Sequence, residues 1–254
     1  MTWSYSRLTA FETCPYRFFL KYLYECDETP EFFSQFGKFV HEIHQLIFIS
    51  VLPRDQAAHY YLTNFAEQVT ARAPSQQIFT SYFQGGLSYF KNMPEFEGST
   101  LGIEKEFRFE IEGIPFIGFP DLFTRTSDGI YLYDHKARIL KPRSNRKKPT
   151  LADKELDNYL RQLYLYSIPI KEAYGEYPTR LVFNCYRAGY LVTEPFIIEK
   201  LEETKQWAVS TVHKIIETVD WPPSLDFFRC RNLCGLENDC SYFDSFYEVN
   251  YVFS

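Results

Sequence analysis

Residues 103–137 constrain most strongly what this chain can fold into. "IEKEFRFEIEGIPFIGFPDLFTR" sets Ile103, Phe107, Phe109 and Ile111 against Glu104, Glu106, Arg108, Glu110 and Glu112, then turns at Gly113 into a second strand. "GIYLYDHKA" reads as a third strand, with Ile130, Leu132, Asp134 and Lys136 on one face because strand side chains alternate. Period-two alternation of this length commits the stretch to a sheet, and a half-buried sheet needs a covering layer.

The flanking sequence supplies helices for that layer. Residues 4–92 read mostly as helix: Ser6 caps a segment with Leu8, Phe11 and Phe18 inward, and "GKFVHEIHQLIFI" and "DQAAHYYLTNFAEQV" carry apolar residues at helical spacing. Beyond the strands, "DKELDNYLRQLYLYSIPI" puts Leu156, Leu160, Leu163 and Tyr164 on one side, and Pro169 is expected to end it. "TRLVFNCYR" and "GYLVTEPFII" read as a further hairpin, followed by a helix over 201–219 and a cysteine-bearing tail over 221–254. The expected fold class is α/β (α+β), with a central mixed sheet of about five strands flanked by helices. One domain is expected over 1–254: a helical part over 1–100, a core over 101–220 and the tail.

Composition narrows the function classes. At 45% hydrophobic residues the chain can build a sizeable core, and packing accounts for most of its 25 Phe and 20 Tyr. A net charge of −6 argues against uniform coating of nucleic acid, although a local basic patch can act on an acidic body. Residues 1–8 carry no long apolar stretch, and the apolar run over 46–52 is far too short to cross a bilayer, so a soluble, cytoplasmic protein is expected. In that reducing compartment six cysteines point to metal ligation or burial rather than to disulfides.

The sheet ends in charge. Taken alone, Asp134 and Lys136 read as a surface ion pair of little worth. Asp121, in "GFPDLF", is expected beside Asp134 at the ends of consecutive paired strands. Two neighbouring carboxylates repel unless something positive lies between them, and a divalent cation with oxygen ligands, flanked by Lys136 to orient a water, accommodates both signs of charge.

Pro120-Asp121, twelve residues, then Asp134-His135-Lys136 resembles the signature of the PD-(D/E)xK nucleases. "FGKFVHEIH" resembles the Gly-x-x-x-His motif of their RecB-like branch, and "QLYLY" resembles that branch's Gln-x-x-x-Tyr motif. The opening "YSRLTAFETCPYRFFLKYL" and the tail "CRNLCGLENDC" are similar to the iron-sulphur members, the AddB-type nuclease and its CRISPR-associated and eukaryotic replication relatives. This resemblance covers residues 4–240 and implies a restriction-endonuclease-like core. It implies Mg²⁺ or Mn²⁺ on His41, Asp121, Asp134 and the backbone carbonyl of His135, with Lys136, Gln162 and Tyr166 completing the catalytic set. It also implies a [4Fe-4S] cluster on Cys14, Cys230, Cys234 and Cys240 that joins the N-terminal helices to the tail. The late cysteines are spaced by three residues and then five, which departs from the family pattern and keeps a zinc site as the alternative. No Gly-Lys-Ser/Thr phosphate loop is present, so a free-standing nuclease of prokaryotic or viral origin is expected rather than part of a motor.

After the signature, residues 136–148 hold seven Lys or Arg and no acid. A solvated loop would explain them, but the position beside Asp134 favours phosphate contact by Arg138, Lys141, Arg143, Arg146, Lys147 and Lys148. His44 is expected to be structural, Glu106 to face solvent, and Cys26 and Cys185 to be buried thiols. The expected activity is a metal-dependent DNase, a single-strand exonuclease serving repair, recombination or CRISPR spacer acquisition. Its partners would be DNA ends and recombination, helicase or CRISPR integration proteins, with no membrane. The rival is a catalytically inactive DNA-binding or partner-docking subunit of the same fold, against which the presence of His41, Asp121, Asp134 and Lys136 together speaks.

Overall fold

Alternation builds the expected strands, but it builds them into two sheets. The computed structural model describes residues 1–243, and residues 244–254 of the expected tail lie outside them. In chain order come α1 (Tyr5–Thr13), α2 (Pro15–Phe18), α3 (Phe32–Phe48), α4 (Ala57–Gln68) and α5 (Gln76–Lys91). Then follow β1 (Ser99–Ile103), β2 (Phe107–Ile111), β3 (Ile114–Gly118), β4 (Leu122–Thr126) and β5 (Gly129–His135). After these come α6 (Leu151–Tyr174), β6 (Pro178–Cys185), β7 (Tyr190–Pro195), α7 (Ile198–Glu217) and α8 (Phe227–Asn232).

The main sheet has five strands in the order β1-β4-β5-β6-β7, and β2-β3 form a separate hairpin. Strands β5 and β6 run parallel, joined by the crossover helix α6, and the other neighbours in the main sheet are antiparallel. This is the mixed α/β arrangement expected. One correction concerns residues 103–111, which do not form one strand. The backbone turns at Glu104, φ 45°, so β1 joins the main sheet while β2 leaves it.

Both faces of the sheet are covered. Phe123, Ile130, Leu132, Leu181 and Phe183 pack with Leu8, Leu156, Leu160 and Val212 of α1, α6 and α7. Opposite them, Leu122, Tyr133 and Val182 meet Phe48 and Phe96, and α3, α4 and α5 close over their own cluster of Phe36, Phe39, Tyr61, Phe65 and Tyr89. Each fully buried Phe contributes about 1.5–3 kcal/mol, so the aromatic richness is chiefly core material. Among the described residues no helix is long and apolar enough to cross a membrane.

Three local expectations need correction. Ser4, not Ser6, caps α1: its side chain accepts from the Arg7 amide, while Ser6 Oγ lies 3.0 Å from Ser4 Oγ. Pro169 does not end α6, which continues to Tyr174 and stops at Gly175, φ 80°. A helix-interior proline costs about 3 kcal/mol, and burying Ile168 and Ile170 on either side offsets that cost. The Ser167 hydroxyl donates to the Tyr164 carbonyl (2.6 Å) in the turn before the proline. Cys185 is buried as expected, whereas Cys26 is only half-buried.

Candidate active site

Asp121 was expected to end a strand; it lies instead immediately before β4. Because β4 is antiparallel to β5, with Leu122 opposite Tyr133, Asp121 still arrives beside the charged end of β5. Its Oδ2 accepts from the His135 amide (2.6 Å), which fixes the carboxylate against the strand. From the other side, the Glu104 amide donates to the Asp121 carbonyl (3.2 Å), bringing a second carboxylate to the first.

Helix α3 supplies the third group. His41 Nε2 lies 3.0 Å from the His135 carbonyl, and a carbonyl only accepts, so Nε2 carries the proton of that bond. The ring therefore turns Nδ1 toward Glu104 Oε1 (3.3 Å) and Asp121 Oδ1 (3.7 Å). Ligand atoms of His41, Glu104 and Asp121 all lie within 4.8 Å of one another. Alternation assigned Glu104 to the outer face of a continuous strand and so missed it. No residue at 103–107 announces the strand break in the sequence, so no local signal could have found it. Glu106 is exposed, as expected, and it pairs with Arg108 (2.7 Å).

Behind this trio lies a chain of hydrogen bonds. Asp134 is 1% exposed, and Lys136 Nζ donates to its Oδ1 (2.9 Å) while standing 2.8 Å from Oδ2. The same ammonium donates to Gln162 Oε1 (2.9 Å), and Gln162 Nε2 donates to Tyr166 Oη (3.1 Å). Gln162 and Tyr166 meet because residues four apart on α6 share a face. Gly118 fixes the tyrosine ring, since a Cβ there would stand 2.5 Å from Tyr166 Cε1.

Burial and mutual repulsion set the charges. Burial first, and Asp134 second, push the Asp121 carboxyl up to about 7, against the opposing pull of His41. Burial works against a charge on His41, but Asp121, Glu104 and Asp134 outweigh it and carry the imidazole up to about 9. Lys136 is likewise opposed by burial and raised by Asp134 and Asp121, so it stays an ammonium. Burial holds the Tyr166 hydroxyl protonated far above its ordinary range. His44 and His135 are different: their rings stack 4.0 Å apart in the core, and burial keeps both neutral. His44, which donates or accepts at Tyr89 Oη (2.8 Å), is structural as expected.

The basic loop is less free than its composition implies. Arg138 pairs with Glu155, and Arg143 with Asp157 and Glu194, while Leu140 is buried. Asp153 accepts from the amides and hydroxyls of Ser144 and Thr150, tying the loop to the first turn of α6. Lys141, Arg146, Lys147 and Lys148 remain exposed.

Cys14, Cys230, Cys234 and Cys240 line one cavity of about 30 Å³. Cys14 caps α2, and its Sγ accepts from the amides of Arg17 (3.4 Å) and Ser224 (3.3 Å). Arg17 Nε also donates to the Cys234 carbonyl (3.3 Å), and the Thr29 amide to that of Gly235 (2.7 Å). The N-terminal helices and the tail are thus joined at the cysteines. Among the described residues no three of these sulphurs lie within 4.8 Å of one another.

No curated protein matches the chain. A family model, described as the PD-(D/E)XK nuclease superfamily, matches residues 2–241. That match takes in His41, Asp121, Asp134, Lys136, Gln162 and Tyr166 together, and the chain belongs to the PD-(D/E)XK nuclease superfamily.

Proposed function

We propose that the chain acts as one nuclease domain that hydrolyses phosphodiester bonds of DNA, as a single-strand exonuclease dependent on Mg²⁺ or Mn²⁺. The observation that carries the reading is the convergence of His41 Nδ1 with the Glu104 and Asp121 carboxylates beside a buried Asp134–Lys136 pair. The donor set suits a hard cation: two carboxylates and an imidazole, with the buried Asp134 carboxylate behind them held by Lys136. His41, Glu104 and Asp121 would hold the ion, and Asp134 would join them on release from Lys136. The His135 carbonyl would become a ligand only after His41 gives it up.

Such an ion supplies charge to the phosphoryl oxygens and acidifies a bound water. The chain's own residues do the rest. Lys136, kept charged by its two acids, cannot take a proton and acts as a donor that steadies negative charge developing on phosphorus. Gln162 holds the ammonium from behind, and Tyr166 holds Gln162.

Four converging thiols and N–H···S bonds to Cys14 support a metal group in the tail. Tetrahedral zinc with Zn–S near 2.3 Å would set its sulphurs about 3.8 Å apart. Cys14, Cys230, Cys234 and Cys240 would hold a [4Fe-4S] cluster, for which their cavity of about 30 Å³ must open, with zinc as the smaller alternative. Service in recombination, repair or CRISPR spacer acquisition belongs to this reading.

The test is incubation of end-labelled single strands with the protein in Mg²⁺, Mn²⁺ or chelator, beside Lys136→Ala. Cleavage that needs the cation and falls by two to three orders of magnitude in the variant supports the reading. Strand binding with no products in either cation would favour the inactive scaffold. Iron, sulphide and zinc analysis of anaerobically purified protein decides the cluster.

A further inference from the structure

Two clefts flank the catalytic groups, and their charges differ. Along α3, the grooves that hold Arg17 and Lys38 also carry Glu28, Glu31, Glu42 and Glu104, so acids prevail there. On the opposite side, between α1 and α6, a cleft of about 870 Å³ carries Arg138, Lys154, Arg161 and Arg229 against Glu12 and Glu155. It adjoins a second cleft of about 400 Å³ with Arg7 and Arg108 and no acid in its walls. Tyr5 lines both and forms the septum between them. This basic pair of clefts sits on a protein whose net charge is −6.

Both clefts border the catalytic groups through residues of α6. The smaller one is lined by Gln162 and Tyr166, and the larger by Tyr159, whose ring lies 5.8 Å from Lys136 Nζ. The far wall is built by the tail: Ser224 hangs from Cys14, and Arg229 Nη1 donates to the Thr13 carbonyl (3.5 Å). Arg138 already faces Glu155, and Arg161 stacks on Trp207. Lys154 is exposed and, among the described residues, in no ion pair.

We infer that a nucleic-acid single strand binds in this α1–α6 tract, with its phosphates on Lys154 and Arg229 and its bases against Tyr5 and Tyr159. A groove with cations along its walls and aromatic faces between them is the physical pattern of single-strand binding. The tail, held by Cys14 at Ser224, forms a wall of the tract. The inference rests on the nuclease reading of the site and extends it to where the strand lies, outside the basic loop at 141–148.

The experiment measures fluorescence anisotropy of labelled oligo-dT with the full chain in EDTA, over a range of salt. Lys154→Gln/Arg229→Gln removes two phosphate contacts, which flattens the log Kd against log salt slope by about 1.4 and weakens binding about 25-fold at 0.1 M salt relative to 1 M. Arg72→Gln/Lys91→Gln removes the same charge from the α4–α5 loop and the end of α5 and is expected to change affinity less than twofold. Circular dichroism melting of both variants checks the fold. Equal weakening by the two double variants, or an unchanged salt slope in the first, would overturn the tract. Wild-type protein that binds no strand would overturn it too. The nuclease reading is judged separately, by cation-dependent cleavage.

Discussion

Gly37 stands in the middle of α3, one turn before His41, and nothing in the fold asks for a glycine there. A Cβ at this position would meet no atom within 4 Å, and the backbone is helical. Replacing a helix-interior glycine by alanine gains about 0.8–1 kcal/mol. For a chain of this size that is a rise of about 2–4 °C in Tm. Yet the added methyl would project into the 420 Å³ groove that Gly37 shares with His41 and Glu104, where a scissile phosphodiester must approach the metal ligands. Gly37→Ala is therefore expected to melt higher while kcat/KM on single strands falls by on the order of tenfold to a hundredfold. The assay pairs calorimetric melting with initial rates on an end-labelled strand. Gly113→Ala is the contrast: with φ 77° in the β2-β3 turn, it should cost about 1–2 kcal/mol and leave the rate alone. A Gly37→Ala protein that is stabilised and fully active would refute the idea that the scissile phosphodiester reaches His41 and Glu104 through this groove.

Other consequences are open to measurement. Glu104→Gln removes one carboxylate of the trio and should raise the Mn²⁺ concentration for half-maximal cleavage by about tenfold or more, with kcat at saturating metal much less affected. Because Asp121 titrates near 7 and His41 near 9 in the metal-free protein, cations must displace protons, so apparent metal affinity should climb with pH across that window and flatten above it. Lys136→Ala leaves buried carboxylates uncompensated and should melt lower in EDTA, with Mn²⁺ restoring part of the loss. Four hydrogen bonds hold Asp153 ionised well below the usual carboxylate range; a depressed pKa contributes stability above the unfolded value that is lost as pH falls. Asp153→Asn should therefore lower Tm at neutral pH, with the difference from wild type closing in acid.

How much of this was legible in the sequence depended on the kind of signal. Local patterns carried Asp134 and Lys136 to one strand end and Gln162 and Tyr166 to one helix face, because both follow from fixed periodicities. The β6-β7 hairpin and the mixed sheet around α6 were readable for the same reason. Glu104 was not, since an unbroken apolar-polar alternation hides a strand break made by a glutamate at φ 45°. Pro169 misled because tertiary burial overrode its local cost, and the pairing of Arg138 and Arg143 was hidden because Glu155, Asp157 and Glu194 lie outside the basic loop. The clefts beside the site come from contacts between residues 150 or more apart, such as Tyr5 with Asn158, which no window along the chain contains.

Anomalous diffraction from a Mn²⁺-soaked crystal measures the cation site directly. A peak within bonding distance of His41 and the carboxylates of Glu104 and Asp121, near enough for Asp134 to join, is the result that follows from the geometry. No peak at these residues under conditions where the protein cuts DNA would contradict it.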